Sequence, residues 1–144
     1  MATSPTQRTL KELRHMGRTT GTVERWNQFA GPRKPDGSPV GIRQDLFGFI
    51  DLISLDPERG IVGVQCCARS GHAAHRRKIT EDCNEAAREW LRCGGVIELW
   101  SWAKQKVKRG GKAERWMPKV EEITLDRLET PDGSNSQSDA RADP

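Results

Sequence analysis

Leu46-Phe47-Gly48-Phe49-Ile50-Asp51-Leu52-Ile53-Ser54-Leu55 is a nearly continuous apolar run with one carboxylate inside it. Its aromatic and β-branched content suits a strand, and its lack of alternation suits a central strand buried on both faces. Asp56-Pro57-Glu58-Arg59-Gly60 follows as a turn, and Ile61-Val62-Gly63-Val64-Gln65-Cys66-Cys67 as a second buried strand, antiparallel to the first. A carboxylate in such a place is costly unless something pairs with it, which singles out Asp51. Gln65 interrupts the second run in the same way, and a hairpin about residues 56–60 brings the two polar groups onto neighbouring strands. Converging oxygen ligands there suit a hard divalent cation. An aspartate hydrogen-bonded to the glutamine or to a backbone amide explains the same pattern.

Outward from this hairpin, Thr9 to Met16 reads as a short helix, with Leu10, Leu13 and Met16 to one side. Ser4-Pro5 offers a start and Gly17 a stop. Thr20 to Trp26 suits a strand. Residues 28–42, with their Pro and Gly, read as a loop that carries Arg33 and Lys34. On the other side, Thr80 to Leu91 reads as a helix with Thr80 as N-cap, Glu81 and Asp82 in the first turn, and Gly94 past the end. Val96 to Trp102 is a third core strand, Lys104 to Lys112 a basic turn, and Arg115 to Thr124 a last strand. Trp100 and Trp102 alternate on their strand, which suits packing, with one of them available to stack on a base.

The whole chain of 144 residues carries a net charge of +4 and is 34% hydrophobic. That length supports one domain with one core. Residues 127–144 hold Arg127 and Arg141 against Glu129, Asp132, Asp139 and Asp143, a net of −2, so residues 1–126 carry +6. The expected division is a domain over 1–126 and a disordered acidic tail over 127–144, since the tail lacks the large apolar side chains needed to offset ordering. A basic domain attracts polyanions, and nucleic acid is the expected partner. No apolar run reaches the length of a membrane span, and the first residues lack the apolar centre of a signal peptide, so a cytoplasmic location is expected. Cys66, Cys67, Cys83 and Cys93 form no CxxC pair; free thiols fit better than a zinc site with His72 and His75.

Arg69-Ser70-Gly71-His72-Ala73-Ala74-His75-Arg76-Arg77-Lys78 directly follows the Gln65 strand. Four full positive charges, two imidazoles and a hydroxyl make it a candidate phosphate grip, with a solvated helix start as the alternative. Arg69, Ser70, His75, Arg76, Arg77 and Lys78 are the expected nucleic-acid contacts, together with Arg43, which could also neutralise Asp51. Glu12, Glu24 and Asp45 are candidate further acids.

The order helix, strand, loop, strand with apolar-Asp-apolar-apolar, hairpin, strand with a polar-x-polar triplet, helix resembles the PD-(D/E)xK nuclease superfamily. Its Holliday-junction-resolvase-like and phage nuclease-like branches are the most similar. Phe49-Ile50-Asp51-Leu52-Ile53 matches the strand with the metal-binding aspartate, and Val64-Gln65-Cys66-Cys67 falls where those enzymes have apolar-Glu-x-Lys. Arg43-Gln44-Asp45-Leu46-Phe47-Gly48-Phe49-Ile50-Asp51 is similar to a block in phage and bacterial proteins placed near these nucleases. The resemblance spans roughly residues 6–103. It implies a restriction-endonuclease-like α/β fold, α-β-β-β-α-β-β, with a mixed central sheet flanked by helices. It also implies magnesium or manganese held by Asp51, Gln65 and the Cys66 carbonyl, and Asp51, Gln65, Cys67 and Lys78 at the catalytic positions. Gln65 replaces the acidic ligand and Cys67 the lysine, for which Lys78 could substitute from the following helix.

Three functions are therefore in contention: a metal-dependent endonuclease or resolvase acting on DNA phosphodiesters, a catalytically inactive nucleic-acid-binding module of the same fold, and a scaffold or inhibitor that binds a protein. A homodimer is compatible with each.

Overall fold

Ser4 caps the first helix with its side chain on the Gln7 amide, Gln7 answers with its own side chain, and Pro5 occupies the first turn. The helix, α1, runs Pro5–His15 and buries Thr9 and Leu13, while Met16 is exposed. The computed structural model describes residues 3–129.

The strands are β1 Thr19–Thr22, β2 Arg25–Asn27, β3 Ile42–Gln44, β4 Leu52–Asp56, β5 Gly60–Ala68, β6 Val96–Lys106 and β7 Glu114–Ile123. Between β5 and β6 lie a 3-10 turn, Arg69–Gly71, helix α2, His72–Arg77, a π-turn, Lys78–Asp82, and helix α3, Asn84–Arg92; helix α4, Leu125–Glu129, follows β7. Five strands form one sheet in the order β1-β4-β5-β6-β7, and β2 and β3 form a separate two-stranded arm. The sheet is mixed, because β5 and β6 are parallel and every other pair is antiparallel. The parallel pair needs a crossover, which α2 and α3 supply. With the arm set aside as an insertion, the main sheet and its helices follow the expected order α-β-β-β-α-β-β.

The sheet's two faces have different covers. Leu13 of α1 packs with Leu52, Val62, Val64, Cys66, Trp100 and Trp102. The opposite face packs Phe49, Ile50, Cys67, Ile97 and Leu99 with Ile79, Ala87 and Leu128. Gly63 lies where a Cβ would come within 2.8 Å of Ile50 Cδ1, so this layer is tightly filled.

Several expectations need correction. The run 46–55 is a strand only from Leu52; residues 46–50 form a turn closed by a Leu46–Ile50 bridge, and Phe47, at φ 56°, projects into solvent. Gly48 at φ 86° makes that turn feasible, a punctuation outweighed in the sequence by its apolar neighbours. The expected strand 20–26 breaks at Val23–Glu24, whose amides both donate to the Asp51 carbonyl. The loop 28–42 ends in β3 and so is part of the arm. Helix begins at His72 rather than Thr80, and Thr80 is no cap: its hydroxyl donates to the Arg76 carbonyl inside the π-turn. The basic turn is shorter than expected, since pairing of β6 with β7 extends to Lys106 and Glu114. Residues 127–129 belong to the domain rather than the tail, with Leu128 buried; the rest of the expected tail lies outside the described residues. No helix among the described residues is long and apolar enough to cross a membrane.

Candidate metal centre

Asp51 stands just before β4. Its amide donates to the Val64 carbonyl at 2.8 Å, and its carbonyl accepts from Val23 and Glu24 at 3.0 and 3.3 Å. These bonds fasten the β1–β2 link and β5 to one residue. The Asp51 side chain is buried, and its Oδ2 accepts from Gln65 Nε2 at 2.6 Å and from the Cys66 amide at 2.8 Å. The convergence of Asp51 and Gln65 expected from the hairpin is thus present. The glutamine presents its nitrogen to the carboxylate, and Cys66 is engaged through its N–H.

The turn at 45–50 swings Asp45 back over the same place. Asp45 Oδ2 accepts from Gln65 Nε2 at 3.3 Å and from Lys78 Nζ at 2.9 Å. Carboxylate oxygens of Glu24, Asp45 and Asp51 lie within 4.8 Å of one another. Of the three further acids singled out in the sequence, Glu24 and Asp45 therefore join Asp51. Glu12 does not: it lies on α1, in a groove with Arg8, Arg14 and Trp116. Of the three acids, Asp45 lines an open cleft of about 800 Å³, with Arg25, Arg43, Phe47 and Lys78 among its other walls.

Asp45 and Asp51, side by side, disfavour each other's charge. Burial, reinforced by the hydrogen bond and the charge of Asp45, pushes Asp51 up to about 8. Asp45 is also buried, but hydrogen bonds from Asp51 and Lys78 hold it below the usual carboxylate range. The two acids are thus pushed in opposite directions, Asp51 toward its protonated form and Asp45 toward its charged one. Gln65 Oε1 is buried with no hydrogen-bond partner, although its Nε2 bonds two carboxylates. A side-chain amide is normally oriented to satisfy both ends. Turning it by half a rotation would place Oε1 among the acids, where a cation could use it. The donor set is then all oxygen, which fits magnesium or manganese and does not fit zinc. The four cysteines are free, and none joins the cluster.

Cys67 follows Gln65 along the helix-covered face but packs in the core with Phe49, Ile50 and Ile79. Burial and the nearby Asp51 push its thiol up to about 11, so it stays neutral. It cannot take the role of a lysine. Lys78, from the π-turn, stands at the cleft wall instead.

The basic segment after β5 is largely occupied. Arg76 pairs with Glu121 at 2.9 Å, and Arg69 donates to the Met117 carbonyl at 3.1 Å. His72 sits between Ser101 Oγ and Glu121 Oε1 at 2.7 and 2.8 Å. That trio has the composition of a nucleophilic triad, but Ser101 is fully buried and no substrate could reach it. Burial, then the charge of Lys78, lowers the pKa of His75. Ser70 and Arg77 are exposed, and Arg43 bonds Glu24 from the cleft rim with most of its side chain in water. Trp100 and Trp102 are buried, with indole N–H groups on Glu98 and Thr9, so neither is available for stacking. The exposed indoles are Trp26 and Trp116, which sequence reading passed over because nothing local distinguishes an outward tryptophan from an inward one. Comparison of the chain with protein-family models, curated proteins and solved structures gives no match.

Proposed function

We propose that this protein is a divalent-cation-dependent phosphodiesterase acting on DNA, an endonuclease or resolvase-like enzyme of restriction-endonuclease-like fold. The observation that carries the reading is the convergence of Glu24, Asp45 and Asp51 around a buried glutamine with an orphaned carbonyl, beside an open cleft that Asp45 lines. Structural carboxylates are ordinarily paired with cations; here three acids share one ammonium and one exposed guanidinium. Such a deficit of positive charge suits a hard cation, held by Asp51, Asp45, Glu24 and Gln65 Oε1. When bound, magnesium or manganese supplies Lewis-acid polarisation of a phosphoryl oxygen and a more acidic water.

The protein's own groups have distinct parts. Asp51 would hold such a cation in its charged form. Lys78 orients Asp45 and offers its ammonium to the charge gathering on the phosphate. Arg25 and Arg43 line the cleft that the backbone would follow. The resemblance to PD-(D/E)xK enzymes supports the same roles, with Asp51 at the metal-binding aspartate and Lys78 displaced into the following helical segment.

One observation favours a second reading, a binding module without catalysis. The triplet carries a neutral amide at Gln65 and a buried, neutral thiol at Cys67 where the resemblance implies an acid and a lysine. Magnesium- or manganese-dependent cleavage of branched, duplex and single-stranded DNA separates the two. The expected result is cleavage of at least one substrate, abolished in Asp51→Asn with most of the DNA affinity retained. Metal-independent binding with no cleavage of any substrate would overturn the enzyme and leave the module.

A further inference from the structure

The paired part of β5 ends at Ala68, opposite Trp102, but β6 and β7 continue together for four more pairs, Ala103–Met117 to Lys106–Glu114. Beyond the sheet they form a two-stranded ribbon closed by residues 107–113. Lys104, Lys106, Lys108, Arg109, Lys112 and Arg115 lie on it, all exposed, against one acid, Glu114. None of the six is in an ion pair among the described residues. The contrast with the segment after β5 is sharp, since Arg76 and Lys78 are already matched by carboxylates. Unmatched charge held on an ordered ribbon is the charge available to a polyanion.

The ribbon leaves the sheet at the end where the acids lie. β5 and β6 are parallel, Gln65 is level with Leu99, and both strands run from there toward the ribbon. At about 3.3 Å per residue, Lys106 stands roughly 23 Å beyond that level, a span of about seven base-pair steps of duplex. Its base is tied down on both sides: Arg69 donates to Met117, and the Arg8 guanidinium covers the Trp116 ring at 3.6 Å, with Lys104 at 5.8 Å. A ribbon of this width fits a DNA groove or follows its phosphates.

We propose that the β6–β7 ribbon is a second DNA-binding element, which grips the phosphates of duplex flanking the cleft through Lys104, Lys106, Lys108 and Lys112. This deepens the reading of the cleft as a DNA phosphodiesterase site and is tested apart from it. Binding of a labelled duplex is measured in an Asp51→Asn background without magnesium, so absence of cleavage in any form bears on the enzyme reading alone. Changing the four lysines to alanine should weaken binding at least about tenfold at low salt. It should also flatten the dependence of log K on log salt by about 3.6, at roughly 0.9 for each of the four lost phosphate contacts. Changing the same four to arginine should restore both, with melting temperatures unchanged throughout. Unaltered affinity and slope in the alanine variant would overturn the ribbon. So would an equal loss in the arginine variant, or a parent protein with no affinity for the duplex.

Discussion

Burial, and then the facing Asp45, push the Asp51 carboxyl toward its protonated form. The consequence for stability has a definite sign. A carboxyl whose folded value is raised to about 8 from an unfolded value of about 3.9 favours the folded state fully below the lower value, and that contribution is lost as pH rises to the upper one. Asp51→Asn removes the titration while keeping an acceptor for the Cys66 amide. The variant should therefore melt higher than wild type in chelator at pH 9, with the advantage shrinking toward pH 5. An equal difference at both values would mean that Asp51 does not carry the proton. Gln65 gives a complementary test. Gln65→Glu adds a charged ligand where the carbonyl has no partner, and calorimetric titration with manganese should show affinity raised by about an order of magnitude. Affinity no better than wild type would remove Gln65 from the ligand set. Both residues were visible in the sequence for one reason: each breaks an apolar run. Glu24 was less visible, since it reaches Asp51 only through two backbone bonds that no local pattern encodes.

The element most misjudged from sequence is the segment 46–50, and the cause is physical. Phe47, Phe49 and Ile50 have strand-like side chains, yet Gly48 lets the chain turn so that Phe49 and Ile50 enter the core while Phe47 stays outside. That turn is what delivers Asp45 to Asp51. The arm of β2 and β3 escaped notice for a similar reason: three-residue strands separated by a Pro- and Gly-rich loop leave no periodicity to read. The arm packs on itself where the Trp26 ring lies close to Gly41 and where Ile42 approaches Gly31. A Cβ at Gly41, which has φ 87°, would come within 2.3 Å of the Trp26 ring. Gly41→Ala should add about 1–2 kcal/mol of backbone strain and expel the indole. Because the arm shares no ladder with the main sheet, the loss should stay local. The amides of the β2–β3 pair should lose exchange protection, and DNA cleavage should fall because Arg25 and Arg43 shift, with little change in melting temperature. Preserved protection across Arg25–Asn27 would show that the arm does not depend on this contact. The hairpin of β4 and β5, by contrast, was plain in the sequence, since two apolar runs about a short polar turn leave few other pairings.

Across the whole molecule, charge is divided between two ends of the sheet. One end holds the Glu24–Asp45–Asp51 cluster, with one ammonium and one exposed guanidinium between the three acids, together with the ribbon's lysines, which have no ion pair among the described residues. The other holds acids already matched. Glu98, buried in β6, accepts from Arg18 at 3.2 Å, from Trp100 at 2.9 Å and from Arg59, which also reaches Asp56 and Glu122. This network joins the end of α1, the β4–β5 turn, β6 and β7. Nothing in the sequence announced it, because bonded partners such as Arg18 and Glu98 lie 80 residues apart. Burial opposes ionisation of Glu98, but hydrogen bonds from Arg59 and Trp100 and the charge of Arg18 hold its pKa below the ordinary value. Its stabilisation is thus present above the unfolded value of about 4.3 and is lost as pH falls through the folded one, the reverse of Asp51. Glu98→Ala leaves the Trp100 N–H without its acceptor and Arg18 with Asp56 alone, at 3.6 Å; since that partner remains, the cost should fall below the roughly 3–5 kcal/mol of a buried charge left unpaired. Glu98→Gln keeps an acceptor and should cost clearly less. Urea unfolding at pH 7 should rank wild type above Gln above Ala, and the gap between wild type and Gln should narrow as pH drops below about 4. DNA affinity and its salt slope should stay as in wild type in both variants, because the network lies at the far end from the ribbon and the cleft. A shifted slope would show that the network is coupled to the ribbon and the cleft, and a Gln variant as unstable as the Ala variant at every pH would show that Glu98 acts through its shape in the core and not through its charge.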